Sequence, residues 1–485
     1  MTLPAPPAIE NLPLVVDLDG TLIKTDLLFE TANSFVTQHP LLAPYLINWL
    51  VSGKSTLKLR LAEIANINPA FLPYNTPLLL WLREEKNNGR QLVLATASHR
   101  ILAESIAKHL ELFDEILATE NQTNLKSAHK RDLLLSRYGA QHFDYVGNDV
   151  ADLATWQAAR HSHVVSGSPA LIAKARAIGN VDKIFGDVHP TPLKSMFRAL
   201  RPHQWMKNLL IFVPLLAAHL YGDIPSLLQT LLAFTVFGLM ASSVYLLNDL
   251  IDVSDDRQHP KKRNRPFAAG DLSLLHGWLT WPVLFVGAFI LASTALPAAF
   301  TATVAIYFLL TLAYSLRLKQ SAIIDVVTLA CLYTLRIVAG ASAIGVAVSF
   351  WLLTFSMFIF LSLALIKRYG ELKIVCGHEK QEKLRGRGYL REDMEMVSSL
   401  GTAAGYISVL VLALYIQDGN TAQLYHAPKL IWMACPLLLF WISRAWLIAH
   451  RGKMHDDPIV FALKDRASWI IGISILGIFA LARLV

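Results

Sequence analysis

The distribution of apolar and polar positions divides the chain in two. In 1–195, short apolar runs alternate with helical patterns, whereas long apolar runs dominate 208–485. The first short run, 13–17, ends on Asp17. A second, 91–95, ends just before Thr96, and a third, 143–146, ends just before Gly147. Stretches 101–110 and 130–138 between them carry helical periodicity. Strands that alternate with helices predict a parallel, doubly wound α/β sheet, and polar residues at the carboxyl ends of its strands meet in one crevice. The stretch 27–90 is helical in pattern; it is expected to cap that crevice, the plainer alternative being a helical insertion without substrate contacts.

In the second part, runs long enough to cross a bilayer, about 20 residues each, recur at 208–222, 227–247, 275–296, 299–315, 322–345, 348–366, 402–416, 428–449 and 468–485. They predict nine membrane helices in an all-α bundle, because lipid offers no water to unpaired backbone groups. Composition agrees: 54% of residues are apolar and only 16% are charged, leaner in charge than a soluble protein of this size. We place the domain boundary at the Pro-containing stretch 187–192, giving domains 1–195 and 196–485. Cys331, Cys376 and Cys435 show neither pairing nor metal spacing, and Cys331 and Cys435 read as small core residues.

The net charge is +8, but the basic residues cluster between apolar runs. That placement points to membrane orientation and phosphate binding, with no nucleic-acid partner. Loops 248–274, 316–321, 367–400 and 450–467 are rich in Lys and Arg, and loops 219–226, 296–299, 345–349 and 417–428 are not. The positive-inside rule puts the basic set in the cytoplasm, and an odd helix count puts the C-terminus outside. The N-terminus has no basic n-region followed by a long apolar stretch, so no signal peptide is expected. The expected location is the inner membrane, with the first domain and the basic loops on the cytoplasmic side.

The chemistry of the first domain starts at Asp17 and Asp19, which flank Leu18 after the first strand and precede Gly20 and Thr21. Such a pair suits covalent work by one carboxylate and proton transfer by the other; the bland alternative is a turn that caps a helix. Thr96, Lys130 and then Gly147, Asn148, Asp149 and Asp152 follow in order. Over about the first 190 residues this set resembles the four motifs of the haloacid dehalogenase superfamily. The resemblance implies that Asp17 attacks a phosphoryl group, forming an aspartyl-phosphate, while Asp19 protonates the leaving oxygen and later deprotonates water. It implies that Thr96 hydrogen-bonds the phosphoryl oxygens and that Lys130 neutralises charge beside Asp17. It also implies Mg²⁺ held by Asp17, the Asp19 carbonyl and Asp152. The family usually has Gly-Asp where this chain has Gly147 and Asn148, which leaves Asp149 or Asp152 to carry the metal.

In the second domain, Asn248, Asp249, Asp252 and Asp256 follow the 227–247 run, and Lys261, Lys262, Arg263 and Arg265 come next. If the helix continues, Asn248, Asp252 and Asp256 line one side of it. Oxygen ligands so arranged suit Mg²⁺ bridging a diphosphate, and the basic residues suit phosphate oxygens; the alternative is a solvated acidic loop followed by orientation charge. The spacing Asn-Asp-x-x-Asp-x-x-x-Asp resembles the signature of the UbiA prenyltransferase superfamily at every specified position. Arg201 to Asn208, just before the first expected span, matches that superfamily's opening. Lys207 within it reads equally as a phosphate ligand or as the anchor of a helix end. Tyr314, Lys319, Asp325 and Arg336 form a second candidate group, because a carboxylate and a guanidinium inside one apolar span are costly unless paired or functional. A structural Asp–Arg contact between helices is the alternative there.

Aromatic prenyltransferases of the superfamily carry a second Asp-rich motif after the sixth span. This chain has Lys367, Arg368 and Glu371, one acidic residue only. With the Tyr314-to-Lys319 motif, that stretch resembles the polyprenyl-phosphate phosphoribosyltransferase branch. The resemblance implies transfer of phosphoribose from phosphoribosyl diphosphate to a polyprenyl phosphate, a lipid-linked sugar of the kind used in cell-wall building. Lys367 and Arg368 would then hold a phosphate. The product keeps a 5-phosphate that the first domain is suited to remove. The rival readings are transfer of a prenyl group from a prenyl diphosphate to an aromatic acceptor, and a polyprenyl-lipid binding protein with degenerate sites, which the complete Asp signature opposes.

Overall fold

The computed structural model describes residues 12–119, 127–186, 191–376, 387–418, 424–454 and 458–485. Residues 187–190 of the expected domain junction lie outside them, as does 419–423 in the expected 417–428 loop. The described chain forms two compact units, one of Met1–Leu200 with Tyr245–Trp281 and the other of Arg201–Val244 with Pro282–Val485.

The first unit is built on six strands: β1 (Leu14–Val16), β2 (Leu92–His99), β3 (Glu115–Thr119), β4 (Asp144–Gly147), β5 (Ser162–Val165) and β6 (Val181–Phe185). They form one sheet in the order β3-β2-β1-β4-β5-β6, parallel throughout. The three strands expected from the apolar runs are its centre, β2-β1-β4. Along β1, alternation sends Leu14 and Val16 into one core with Leu92, Leu94 and Trp81, and Val15 into the other with Val93, Phe143 and Trp156. Two buried faces are why this strand reads as an uninterrupted apolar run.

The helices of this unit up to Leu200 are α1 (Leu27–Gln38), α2 (Tyr45–Val51), α3 (Lys54–Ile64), α4 (Thr76–Asn87), α5 (Arg100–Leu110), α6 (Ala128–Tyr138), α7 (Leu153–Ala158), α8 (Pro169–Arg176) and α9 (Pro192–Leu200). Helices α1 to α3 form the cap, with a small core of Phe35, Leu57 and Leu61 against Trp49. Asp26 caps α1 by accepting from the Leu28 N–H at 2.8 Å.

The remaining helices are α10 (Val213–Ala217), α11 (Ile224–Ile251), α12 (Val253–Gln258), α13 (Leu274–Ala295), α14 (Ala298–Leu316), α15 (Ile324–Ala343), α16 (Phe350–Cys376), α17 (Met394–Gln417), α18 (Ala434–His450), α19 (Pro458–Lys464) and α20 (Arg466–Leu484). Among the described residues, eight helical segments are long and apolar enough to span a membrane, matching eight of the nine expected runs. This is a multi-pass membrane protein. The run at 208–222 is different: it folds as a 3₁₀ stretch, Pro202–Phe212, followed by the five-residue α10 with Pro214 in its first turn. Prolines remove the N–H groups a through-going helix needs. Asn208 instead turns its side chain to Arg336, and the Ile211 carbonyl lies where a Cβ on Gly340 would come within 2.0 Å. A glycine on α15 therefore lets two backbones touch, as small residues do between membrane helices. On α13, Leu279, Val283, Val286 and Ile290 stay exposed at helical spacing, which gives lipid an apolar face.

His163 on β5 is buried against Trp81, ring centroids 4.7 Å apart, and burial pushes its pKa down to about 4 although Asp144 and Asp182 pull the other way. The folded state thus binds fewer protons than the unfolded one between pH 6.5 and about 4, and stability falls as pH drops through that window. By pH 5 the loss reaches about 2 kcal/mol. Scanning calorimetry at pH 7.5 and 5 is expected to show a larger fall in unfolding temperature for wild type than for His163→Phe.

Candidate functional site

The first candidate site lies where the order of the sheet reverses around β1, at the carboxyl ends of β1, β2 and β4, the place where open α/β sheets bind ligands. Asp17 follows β1 and is buried. The Lys130 ammonium, from α6, donates to Asp17 Oδ1 at 2.5 Å and to the Tyr145 hydroxyl at 3.1 Å. Tyr145 in turn donates to Asp152 Oδ1 at 2.9 Å, and Asp152 Oδ2 accepts the backbone N–H groups of Asn148 and Asp149 at 3.0 Å each. Asp19 Oδ1 accepts the Leu27 N–H at 2.8 Å, which ties it to the start of α1. Its Oδ2 accepts from the Ser98 hydroxyl at 2.7 Å and the Thr96 hydroxyl at 3.3 Å. From the cap, Lys58 on α3 donates to the Ala97 carbonyl at 2.6 Å, and its charge bears on Asp19.

Burial pushes Asp17 up to about 6, against the pull of Lys130. Asp19 also rises to about 6, through burial first and then the nearby Asp26. Lys130 is held above its ordinary range by Asp17 and Asp152 in spite of its burial. Three carboxylates around one ammonium leave negative charge in surplus, an arrangement that fits a divalent cation with oxygen ligands.

The structure thus gathers Asp17, Asp19, Thr96, Lys130 and Asp152 into one crevice. Asp149 is exposed and spends its carboxylate on the Val150 N–H. Both Asp152 oxygens already accept hydrogen bonds from its own loop and from Tyr145. Asn148, absent from the expected ligands, also reaches the crevice: its Oδ1 accepts from the Thr21 hydroxyl at 3.0 Å, which lies 3.2 Å from Asp17 Oδ2. Gly20, with φ of +74°, makes room for it, since a Cβ there would lie 2.3 Å from Asn148 Nδ2. Tyr145, Thr21 and Ser98 had no signal in the sequence beyond their proximity to the motifs.

The second candidate site is the acidic segment at the end of α11. The helix breaks only at Asp252: the Asp252 N–H reaches the Asn248 carbonyl and the Asp256 N–H reaches the Asp252 carbonyl, both at 2.8 Å. Asn248, Asp252 and Asp256 therefore keep the one-sided spacing expected of them. Arg265 Nη1 bridges Asp249 Oδ1 at 3.1 Å and Asp256 Oδ2 at 2.5 Å, and Lys262 lies 3.9 Å from Asp256 Oδ1. Burial pushes Asp256 up to about 6, with Arg265 opposing. The buried Oδ1 atoms of Asn248 and Asp256 have no hydrogen-bond donor among the described residues. Orphaned oxygens on an acidic helix end fit a divalent cation. Among the described residues, neither here nor in the first crevice do three carboxylate, His or Cys side chains already point at one spot as a preformed metal cluster.

The third group lies in the second unit, around Asp325 at the start of α15. Its Oδ1 accepts from the Tyr314 hydroxyl at 2.8 Å and from Arg387 at 2.9 Å, and Arg368 Nε stands 2.5 Å from Oδ2. Arg368 also contacts Glu371, and Arg387 donates to Tyr314 at 2.7 Å. Asp325 and Arg368 are completely buried, while the Arg387 side chain keeps about a fifth of its surface. Arg387 was not singled out from the sequence, where it is one basic residue among many in the 367–400 loop. Lys367 and Glu371 line a nearby cavity of about 230 Å³ with Lys373 and Gly452. Lys319 is half-buried on the 3₁₀ turn Leu318–Gln320. Arg336 is elsewhere: it donates to Asn208 Oδ1 at 3.0 Å and sits among the rings of Phe237, Tyr307 and Tyr333. The Lys207 ammonium stands over the Tyr333 ring at 5.9 Å. These contacts favour a structural part for Arg336.

Fold and site together define a multi-pass helical membrane protein that carries an acidic, basic-flanked helix end, with a phosphatase-type α/β domain in front. The pattern of the UbiA prenyltransferase family matches residues 209–469, and that of haloacid dehalogenase-like hydrolases matches 14–133. The chain belongs to the UbiA prenyltransferase family and is an enzyme, with a haloacid dehalogenase-like hydrolase domain fused at its N-terminal side. It is 38% identical to an uncharacterized protein, y4nM, of Sinorhizobium fredii, over 97% of this chain and 91% of that one. The nodulation protein NoeC of Azorhizobium caulinodans is 38% identical over 58% of this chain and 90% of its own length. A decaprenyl-phosphate phosphoribosyltransferase of Mycolicibacterium smegmatis is 30% identical over 59% of this chain and 91% of its own length.

Asp17→Asn is expected to lower phosphate release from p-nitrophenyl phosphate about a thousandfold or more, the cost of losing a nucleophile. Release at the wild-type rate would remove Asp17 from that role.

Proposed function

We propose that the membrane part transfers 5-phosphoribose from phosphoribosyl diphosphate to a polyprenyl phosphate, and that the fused domain then removes the 5-phosphate. The observation that carries this reading is the Asp325 cluster. A second acidic pair, as in aromatic prenyltransferases, would hold a second metal. Here Asp325 is ion-paired with Arg368 and Arg387 and accepts from Tyr314, and Glu371 is spent on Arg368, so the group presents the partly exposed Arg387 guanidinium, suited to a phosphate, in place of free carboxylates. The 30% identity to a decaprenyl-phosphate phosphoribosyltransferase supports the same reading.

In the transfer, the bond from ribose C1 to the diphosphate breaks, and the diphosphate leaves with the electron pair. A phosphate oxygen of the lipid forms the new bond to C1. Mg²⁺, when bound, supplies positive charge against the departing diphosphate. Asn248, Asp249, Asp252 and Asp256 would hold it, and Lys262 and Arg265, which now face Asp249 and Asp256, would turn to diphosphate oxygens. Arg387 and Lys367 hold the acceptor phosphate, with Asp325, Tyr314, Lys319 and the buried Arg368, paired to Asp325 and Glu371, orienting them. In the fused domain, Asp17 attacks the 5-phosphate. Asp19, raised toward neutral pH, gives its proton to the ribose oxygen and takes one from the attacking water. Asp17, the Asp19 carbonyl and Asn148 are the groups that would hold a second Mg²⁺ there. Both reactions take place on the cytoplasmic side, where the basic loops are expected.

The deciding assay offers radiolabelled phosphoribosyl diphosphate and polyprenyl phosphate to the purified protein. Labelled lipid is expected, and Asp256→Asn is expected to cost roughly a hundredfold in rate, as removal of one well-placed electrostatic group does. If wild type ignores this donor but consumes a prenyl diphosphate with an aromatic acceptor, phosphoribosyl transfer is excluded. For sidedness, single cysteines at Asn264 and Ser349, in a background with Cys331, Cys376 and Cys435 replaced by Ala, are expected to react from opposite faces of the membrane.

A further inference from the structure

The cap helix α1 is fastened to the acidic segment of the transferase by contacts that neither chemistry explains. Arg257, next in sequence to Asp256, donates to both carboxylate oxygens of Glu30 at 3.0 and 2.7 Å and to the Ala268 carbonyl at 3.1 Å. Both side chains of the pair are less than a tenth exposed. One turn along α1, the Asn33 amide donates to the Leu250 carbonyl at 2.9 Å and accepts from the Trp278 indole at 2.9 Å. Leu250 lies in the last turn of α11, between Asp249 and Asp252. The loop after the basic residues closes the joint: Gly270, at φ of +76°, sits where a Cβ would come within 2.7 Å of Lys24 Cβ. On its other side, Arg198 donates to the Asn264 carbonyl at 3.0 Å.

A buried bidentate pair is costly to break, because the survivor is left as an uncompensated charge. This pair and the Asn33 hydrogen bonds, one on either side of Asp252, set where the carboxylates of the segment stand. We propose that Glu30 and Asn33, residues of the phosphatase-type domain, are positioning residues for the transferase: they hold the 248–256 segment in its metal-ready shape. The same helix begins on Asp19 Oδ1 and carries Thr25 Oγ1 within 2.8 Å of Glu30 Oε1 just before it. One short element thus touches the proton-transfer carboxylate of one site and the acidic segment of the other. The inference rests on the reading of 248–256 as transferase machinery, but not on the identity of the donor.

The test uses the full chain in lipid nanodiscs, as wild type, Glu30→Gln, Asn33→Ala, Trp278→Phe and the charge exchange Glu30→Arg with Arg257→Glu. Three properties are measured: amide hydrogen exchange over 253–268, the Mg²⁺ concentration giving half-maximal transfer, and phosphate release from p-nitrophenyl phosphate. Glu30→Gln is expected to speed exchange in 253–268 about tenfold and to raise the Mg²⁺ requirement by a similar factor, with a smaller change in rate at saturating Mg²⁺. Phosphate release should stay within about threefold, which shows that the first domain is folded. The charge exchange should recover part of both losses. Trp278→Phe, which removes the indole N–H with part of the ring and leaves every charge in place, guards against a variant that fails to fold and should shift both readouts in the same direction by less. If exchange over 253–268 is unchanged in Glu30→Gln, Asn33→Ala and Trp278→Phe while phosphate release is intact, the positioning role is overturned. If wild type transfers no phosphoribose, the proposed reaction fails, and the exchange data alone still decide the positioning role.

Discussion

A charge moved out of water needs an opposite charge or hydrogen-bonded dipole beside it, and the functional parts of this chain are arranged by that requirement. Asp17 is tolerated at the end of a buried strand because Lys130 reaches it from α6. Asp256 is tolerated because Arg265 folds back onto it, and Asp325 because two guanidiniums and a phenol surround it. In the first two the compensation is incomplete and burial still raises the carboxylate. Incomplete compensation keeps a site hungry for a cation. At Asp325 the carboxylate is answered by ion pairs with Arg368 and Arg387, and Glu371 answers Arg368 in turn, so charge is balanced within the group.

The same requirement separates what the sequence revealed from what it concealed. Apolar runs reported β1, β2 and β4 because those strands have no polar face to interrupt them. The outer strands β3, β5 and β6 mix polar and apolar residues, with Asp182 and Lys183 of β6 exposed, and left no comparable trace. Eight of the membrane helices were legible from length and hydropathy. The stretch at 208–222 was equally apolar, but prolines and the demands of Asn208 turned it into something shorter. Of the site residues, those in compact motifs were visible. Those whose partner is far away in sequence were not: Glu30 and Arg257 stand 227 positions apart, and neither carries a local mark of the other.

Helical geometry also limits inferences from a shared face. Asp325 and Arg336 lie on similar sides of α15, but eleven residues of rise amount to about 16 Å, too far for contact. Each therefore finds other company, Asp325 with Arg368 and Arg387, Arg336 with Asn208 and a ring of aromatics. Asn148 teaches a related lesson in the first domain. Its replacement of a usual aspartate removes a charge while keeping an oxygen in place, which lowers the pull on a cation without dismantling the crevice.

The length of α11 has a consequence for where reactants meet. Its 28 residues extend about 42 Å, against a hydrocarbon layer about 30 Å thick. Even tilted by about 20° the helix overshoots the acyl chains by roughly two turns. An overhang at the polar end carries the turns of Asn248 and Asp249 into the headgroup layer, reached by water on one side and by the phosphate of a long-chain lipid on the other. A strongly charged, water-borne reactant can reach that layer without crossing oil, and an isoprenoid can reach it without leaving oil. An overhanging helix end is in this sense a quay, built at the height where two immiscible supplies can be unloaded side by side.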